Sequence, residues 1–570
     1  MLYALMKRVL TATAILAIVV AIFVWSTLPP KHQTLSRTFD DGTVAGVVHV
    51  HSNRSDGRGT PEEIAHEAAQ AGLKFVVITD HGNATRQPDA PVYREGVLCL
   101  DAVEISTASG HYIALDMPAA PYPLAGEGRD VVEDVKRLGG FGIVAHPDSP
   151  KPELQWREWT APFDGVEILN LDTSWRQRVT DTTWRRKASL LVRLLTYPFR
   201  PEESITSLIS RSNVIYRWDA LSRRRHVVTI GGADAHAQIA WRASDPIATR
   251  LSVPVPSYES SFRTLSVHVR TERPLSGNAA ADAAVIMRGI RAGHLYTAVD
   301  GAATPPAFEF TASNGHGTVS AGDQLTVSGP VRLHVRDNAP DGYTTTIWNG
   351  VTAVAADRTE HDIAVTAPEG PAVYWVEIRA NGALAAVPWI TSNAIYIRSA
   401  DVPPPLPARP PSTATHPLFT GAADGWDTVS DPTSLATRDV VPQAAGGQAL
   451  RLRFGLSGGA PSSQYAALRV ATPRGIDGNS RLSFAARAEH PMRISVQLQS
   501  AHGRWQRSVY VDTFNQAHTI PLDEFAPVGD TGPYRAPRPD IRNILFVVDT
   551  VNTAPGASGR LWIMSPALEE

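Results

Sequence analysis

Six histidines and three carboxylates stand in short, spaced clusters between residues 49 and 236. They are His49, His51 and Asp56 in HVHSNRSDG, His81 in ITDHG, Glu104 in VEIS, His111 in GHYIAL, His146 in AHPD, and Asp234 with His236 in GADAH. Residues two apart at a strand end point to one side, so His49 with His51, and Asp234 with His236, can each face one ion. Imidazole and carboxylate without thiolate suit zinc, manganese or iron. Nine donors exceed the roughly four to six that one ion takes, so two or three divalent transition metal ions are expected. Ions a few ångströms apart can bridge a hydroxide and stabilise both the attacking and the leaving oxygen. Hydrolysis without a nucleophilic side chain is the chemistry such a set predicts.

Something must bring these sequence-distant residues together. β-Branched runs at 44–50, 74–79, 97–105, 112–117, 141–145, 165–169 and 226–230 alternate with helical segments, the pattern of an α/β domain with parallel strands. Seven strands suggest a barrel, in which the carboxyl ends of the strands converge on one mouth. After the first run, Thr60 followed by Pro61, Glu62 and Glu63 predicts a capped helix ending near Gly72. A second helix over 131–138 is predicted to stop at Gly139 and Gly140. Residues 171–225, rich in Trp, Arg and Leu, read as helical excursions over the barrel mouth.

The motifs quoted above resemble, in order, those of the polymerase and histidinol phosphatase (PHP) superfamily, over roughly residues 44–240. The resemblance implies a distorted seven-stranded β/α barrel and metal-dependent phosphoesterase activity. It assigns one metal to His49, His51, Glu104 and Asp234, and a second to Glu104, His111 and His146. The third falls to Asp56, His81 and His236. Many members have histidine where this chain has Asp56; the SDG form resembles the branch acting on small phosphoesters and nucleotide phosphates. The implied reaction is attack of a metal-bridging hydroxide on a small phosphoester.

Other residues have two readings each. Asp80 either orients a neighbouring ligand through a hydrogen bond or caps the loop that follows it. Arg54, Arg86 and Lys151 lie in loops at the predicted mouth and are candidate clamps for phosphate oxygens, or plain surface charge. Asp80, Arg54 and Lys151 are taken as the candidate catalytic residues beside the metals. His66 reads as helix surface and His294 as structural.

The remainder of the chain sets location and architecture. Residues 9–28 form an uncharged apolar run of spanning length behind Lys7 and Arg8, which predicts a single-pass membrane anchor with the bulk of the chain outside the cytoplasm. A cleaved signal peptide is the alternative. The expected domains are 1–30 (anchor), 40–302 (barrel), 303–398 (β-sandwich, from period-2 alternation), 399–417 (Pro-rich spacer) and 418–570 (a second sandwich). The last resembles galactose-binding-like jelly rolls, in which Trp426, Trp505 and Trp562 either stack on sugars or fill the core. Of 570 residues, 43% are hydrophobic and 19% charged with a net charge of −3, so folded domains are expected and duplex nucleic-acid binding is not. Cys99, the one cysteine, reads as a buried apolar residue. Two other functions stay open: a glycan-binding envelope module with a relic barrel, and a metal-dependent amide or lactone hydrolase.

Overall fold

The computed structural model describes residues 2–241, 251–399, 414–444, 446–459, 464–529 and 535–570. The expected Pro-rich spacer lies mostly outside them. The chain divides into two compact units, one of Met1–Gly82, Pro88–Pro118 and Val135–Val402, the other of Asn83–Gln87, Ala119–Asp134 and Pro403–Glu570.

In the first unit, two sheets carry the clustered histidines. One runs, in spatial order, Val228–Gly232, Gly165–Asn170, Phe141–Val144, Gly110–Leu115 and Val103–Thr107. Its first three strands are parallel, but Gly110–Leu115 is antiparallel to both neighbours, so the expected all-parallel arrangement is broken there. The reason is local: two residues, Ala108 and Ser109, join Thr107 to Gly110, and so short a connection makes a hairpin rather than a crossover. The other sheet contains Thr43–Val50, Phe75–Ile78 and Val97–Asp101 as parallel neighbours. The single run expected at 97–105 is thus two strands in different sheets, parted at Ala102. The sheets touch through isolated bridges, Val50 to Ala235 at one seam and His81 to Glu104 at the other.

Helix Pro61–Gln70 has the predicted cap in full: Glu63 N–H donates to Thr60 Oγ1 (3.2 Å) and Thr60 N–H to the Glu63 carboxylate (2.7 Å). Gly72 follows at φ +80°, the left-handed turn that ends it. Helices Leu171–Thr180, Trp184–Thr196, Pro201–Thr206 and Val214–Ser222 fill the region read as helical excursions.

The 303–398 segment does not stand apart from the sheet that bears His49. Pro388–Ser392 pairs with Leu295–Ala298, which pairs with Ser266–Arg270 and through it with Thr43–Val50. A four-stranded sheet containing Phe308–Asn314 and Val331–Asp337 completes this sandwich around Phe310, Leu333, Ile378 and Trp389. Two buried side chains from it brace the strand leading to Asp234. Asn393 accepts from Thr229 N–H (2.8 Å) and donates to Thr229 and Leu295 carbonyls (2.8 and 3.1 Å), and the Tyr396 hydroxyl meets both backbone groups of Val227.

The second unit contains two six-stranded antiparallel sheets around Leu452, Phe484, Val496 and Phe546. Trp426, Trp505 and Trp562 are 2%, 1% and 7% exposed, so they are core residues and not sugar platforms. Buried Arg493 is held by Asp130 (3.0 Å) and Asp134 (3.0 Å) of the same unit.

Two outcomes follow. Asn393→Ala strands the Thr229 amide and carbonyl in the interior, while the Leu295 carbonyl keeps the residue 393 backbone N–H (3.3 Å), and is expected to cost about 2 to 4 kcal/mol, read as a fall in Tm. Burial pushes Asp300 up to about 7 despite hydrogen bonds from Ser266 and Thr304. Its folded value exceeds its unfolded one, so its contribution is complete below about pH 4 and lost as pH rises through about 7, by up to about 4 kcal/mol. Asp300→Asn should flatten that decline in thermal melts between about pH 4 and 8.

Candidate metal centre

Eight of the nine candidate ligands lie at or near a strand end, Asp56 sits in the loop after Thr43–Val50, and all nine come together. Three have left-handed backbone, His49 (φ +68°), His146 (φ +28°) and Asp234 (φ +46°). For non-glycine residues that conformation costs on the order of 1 kcal/mol or more each, and it swings the side chain out of the strand's alternation. Gly232 precedes the Asp234 turn because nothing larger fits: a Cβ there would lie 1.8 Å from Glu167 Oε1.

Glu104 is the hub. Its Oε1 meets His111 Nδ1 and His146 Nε2, both at 2.8 Å, while Oε2 meets His49 Nε2 (3.3 Å), His51 Nε2 (3.2 Å) and His81 Nδ1 (3.3 Å). Asp234 Oδ1 lies 3.4 Å from both His49 Nε2 and His51 Nε2. Asp56 Oδ1 is 3.5 Å from His51 Nδ1, 3.7 Å from His81 Nε2 and 3.3 Å from His236 Nε2. Donor atoms within 4.8 Å of one another form four overlapping sets: His51, Asp56, His81, His236; His49, His51, Glu104; His49, His146, Asp234; and His81, Glu104, His111. Compared with the expected assignment, His51 also joins the Asp56 set, and His146 sits with His49 and Asp234 as well as with Glu104.

Electrostatics bind the cluster. Burial works against the charged form of His49, but Asp234, Glu167 and Glu104 outweigh it and hold the imidazole well above the ordinary histidine range. Burial is likewise overcome at His146, pushed up to about 9 chiefly by Glu104, and at His236, pushed up to about 10 by Asp56 and Asp234. Against burial, His49, His111 and His146 keep Glu104 well below the usual carboxylate range. At His81 burial prevails and lowers the pKa. Both ring nitrogens of His51 and Nδ1 of His81 are buried without a hydrogen bond. A buried polar atom left so costs about 1 to 3 kcal/mol. Lone pairs aimed among carboxylates, with oxygen and nitrogen donors only, fit a divalent transition metal ion.

Around this cluster stand residues the sequence reading passed over. Glu167, 1% exposed, accepts from His49 Nδ1 (2.6 Å), His146 N–H (2.7 Å) and Asn170 Nδ2 (2.9 Å). Asn170 also reaches Asp234 Oδ2 (3.3 Å) and caps helix Leu171–Thr180. A lone acid inside the apolar strand GVEILN was the available signal, since a buried charge needs partners. Arg176, on that helix, pairs with Asp172 and feels the charges of Asp234 and Asp56.

The other singled-out residues lie as follows. Asp80 accepts from Ser52 N–H (2.7 Å), Ser52 Oγ and Ser55 Oγ (2.6 Å), so it caps the loop between His51 and Asp56. Arg54 is taken up by Asp89 (2.6 Å) and Asp101 (3.8 Å). The Lys151 ammonium makes no ion pair among the described residues, and Arg86 belongs to the second unit. His66 is an exposed helix residue paired with Glu95 (2.8 Å), and His294 pairs with Asp323 (2.7 Å) directly after Gly293, the left-handed cap of helix Ala279–Ala292. Cys99 is buried.

No curated protein matches this chain. Among solved structures it is similar to the family 11 carbohydrate-binding module from Clostridium thermocellum in complex with a β-1,3-1,4-mixed-linked tetrasaccharide, at 16% identity and TM-score 0.22, covering 27% of this chain and 95% of that one. An exo-β-agarase is similar at 12% identity and TM-score 0.20, over 26% of this chain and 24% of that one. Likenesses this slight carry no functional argument. The PHP domain family model matches residues 48–116, the stretch that holds His49, His51, Asp56, His81, Glu104 and His111. Six of the nine residues gathered at the centre thus lie in the matched segment, and the chain contains a PHP domain.

Proposed function

We propose that this chain is a metal-dependent phosphoesterase, held to a membrane by its N-terminal helix and acting outside the cytoplasm. The observation that carries the reading is the convergence of five imidazoles on the buried carboxylate of Glu104. The eight strands linked by the two bridged seams, one more than the seven expected because the 97–105 run is two, are read as the distorted barrel. His51, Asp56, His81 and His236 would hold one ion, and His49, His146 and Asp234 a second. Glu104 would reach both, and with His81 and His111 would provide for a third. Zinc, manganese and iron all suit these donors. When bound, such ions supply hydroxide at neutral pH and neutralise charge on phosphoryl oxygens.

The chain's own residues do the rest. Glu167 fixes the His49 ring through Nδ1, leaving Nε2 to face the cluster. Asp80 is a positioning residue, pinning the loop that carries His51 and Asp56. Arg176, paired with the single carboxylate of Asp172 and within the field of Asp234 and Asp56, is better placed than Arg54, which two carboxylates engage, to hold a non-reacting phosphate oxygen. The net reaction adds water to phosphorus and breaks the bond to the ester oxygen, which leaves as an alcohol carrying a proton from the water. The apolar helix Met6–Thr27 has 22 residues, long enough at about 1.5 Å each to cross a bilayer core, and Lys7 stands at its N-terminal end, as cytoplasmic ends do.

A second reading concerns the C-terminal unit alone. One face of its sandwich carries a cleft of about 420 Å³ lined by Tyr465, Gln497, Gln499, Arg504, Gln506 and Asp549, planar amides suited to sugar hydroxyls and an aromatic ring suited to a sugar's C–H face. Retardation in gels containing a soluble β-glucan, relieved by Tyr465→Ala with Gln497→Ala, is the expected outcome; unretarded wild type rejects glucan binding.

The purified full chain should retain about two or three equivalents of transition metal and release alcohol from an aryl phosphate or phosphodiester. Glu104→Gln should lower both metal content and turnover, the latter at least about a hundredfold, and Glu167→Gln should lower metal affinity about 10- to 100-fold by freeing the His49 ring. A chain that neither takes up metal nor cleaves any ester rules the reading out, whereas cleavage of amides or lactones alone would redirect it.

A further inference from the structure

Resting on the phosphoesterase reading, the walls beside the centre bear on what the phosphate is attached to. A cavity of about 170 Å³ lies among the helices after Asn170, walled by Leu171, Trp175, Leu190, Ile205 and Leu208, and Asp234 and His236 form its inner side. Polar side chains among its walls are already bonded: Arg193 to Thr27 O (2.8 Å), Gln238 to Asp56 O (2.7 Å), Ser204 to Thr196 (3.0 Å) and Ser174 to Asn170 O (2.8 Å). A sugar or base entering here would lose water without gaining partners. An aliphatic cavity of about 150 Å³ stays dry and accepts benzene, so this one suits the first carbons of a hydrocarbon chain.

The outer surface of the same helices is unusual for a water-facing one. Trp184, Leu191 and Phe199 are 72%, 60% and 67% exposed, and the exposed basic run Arg185, Arg186 and Lys187 stands beside them. Aromatic and aliphatic side chains flanked by cations are the make-up of a helix lying at a lipid headgroup boundary. Arg193 on this helix donates to Thr27 O, and Arg200 donates to Pro29 O, so the helix is tied to the point where the apolar N-terminal helix ends.

We infer that the substrate is a membrane amphiphile, a phosphoester lipid whose hydrocarbon chain enters the cavity between these helices while its phosphate meets the Glu104 cluster. Water adds to phosphorus, the bond from phosphorus to the lipid oxygen breaks, and the lipid alcohol and phosphate part.

The test uses the metal-loaded full chain in phosphatidylcholine nanodiscs with ethyl, butyl and octyl phosphate. The ratio kcat/KM should rise at least about tenfold from ethyl to octyl, well within the roughly fourfold that each fully buried methylene can give. Ile205→Asn with Leu190→Asn should bring the octyl-to-ethyl ratio close to one. Calorimetric titration with octylphosphonate and ethylphosphonate, which are not turned over, should show the same preference. Equal cleavage across the series overturns the lipid assignment and leaves the phosphoesterase reading standing. If no ester is cleaved the phosphoesterase reading falls, and equal affinity for the two phosphonates then overturns the cavity assignment as well.

Discussion

Burying a carboxylate among imidazoles governs this structure. Glu104 is 1% exposed and His49 and His51 are fully buried, and taking such groups out of water costs several kcal/mol per charge unless each finds a partner of opposite sign or a metal. The partners come from six separate stretches of chain, so the cluster is stable only if the strands that deliver them cannot shift. Carbon packing alone does not fix strand ends to that tolerance. Directional hydrogen bonds do, which is why the polar groups around the centre are as deeply buried as the centre itself.

Those bonds come from behind the ligands. Glu167 joins the His49 ring, the backbone of His146 and the amide of Asn170; Asn393 and Tyr396 clamp the strand that leads to Asp234. Because Asn393 and Tyr396 belong to the 303–398 segment, that sandwich is part of the support of the centre and not an appendage to it. Continuity of its sheet with the His49 strand has the same consequence, since no flexible linker intervenes at the Leu295–Ala298 pairing.

The nine clustered residues were legible for a simple reason: most stand at or near an end of a β-branched run, and strand periodicity with pairs two apart survives without knowing the fold. The capped helix at Pro61–Gln70 was legible because capping is a contact within four residues. What stayed hidden depends on distance along the chain. The division of 97–105 into two strands is decided by which sheets receive them, not by composition, and VLCLDAVEI has no turn residue but Asp101 to mark it. Glu167 and Asn393 went unnoticed because their partners, His49 and Thr229, lie more than 100 positions away. The three tryptophans show the converse, since an indole in a sandwich is core more often than platform, and burial decides for core.

Asn170 links the centre to the helices above it. Its carboxamide oxygen accepts from Thr173 N–H (2.8 Å) and so starts helix Leu171–Thr180, while its nitrogen holds Glu167 (2.9 Å) and approaches Asp234 (3.3 Å). One amide therefore satisfies a helix terminus, whose first N–H groups have no partner within the helix, and two carboxylates that need donors. A shift of the helix must break the cap or pull the amide from the acids. The helices beside the cluster are thus registered to the candidate ligands by a short bonded path, and the start of helix Leu171–Thr180 is as fixed as the strand that precedes it.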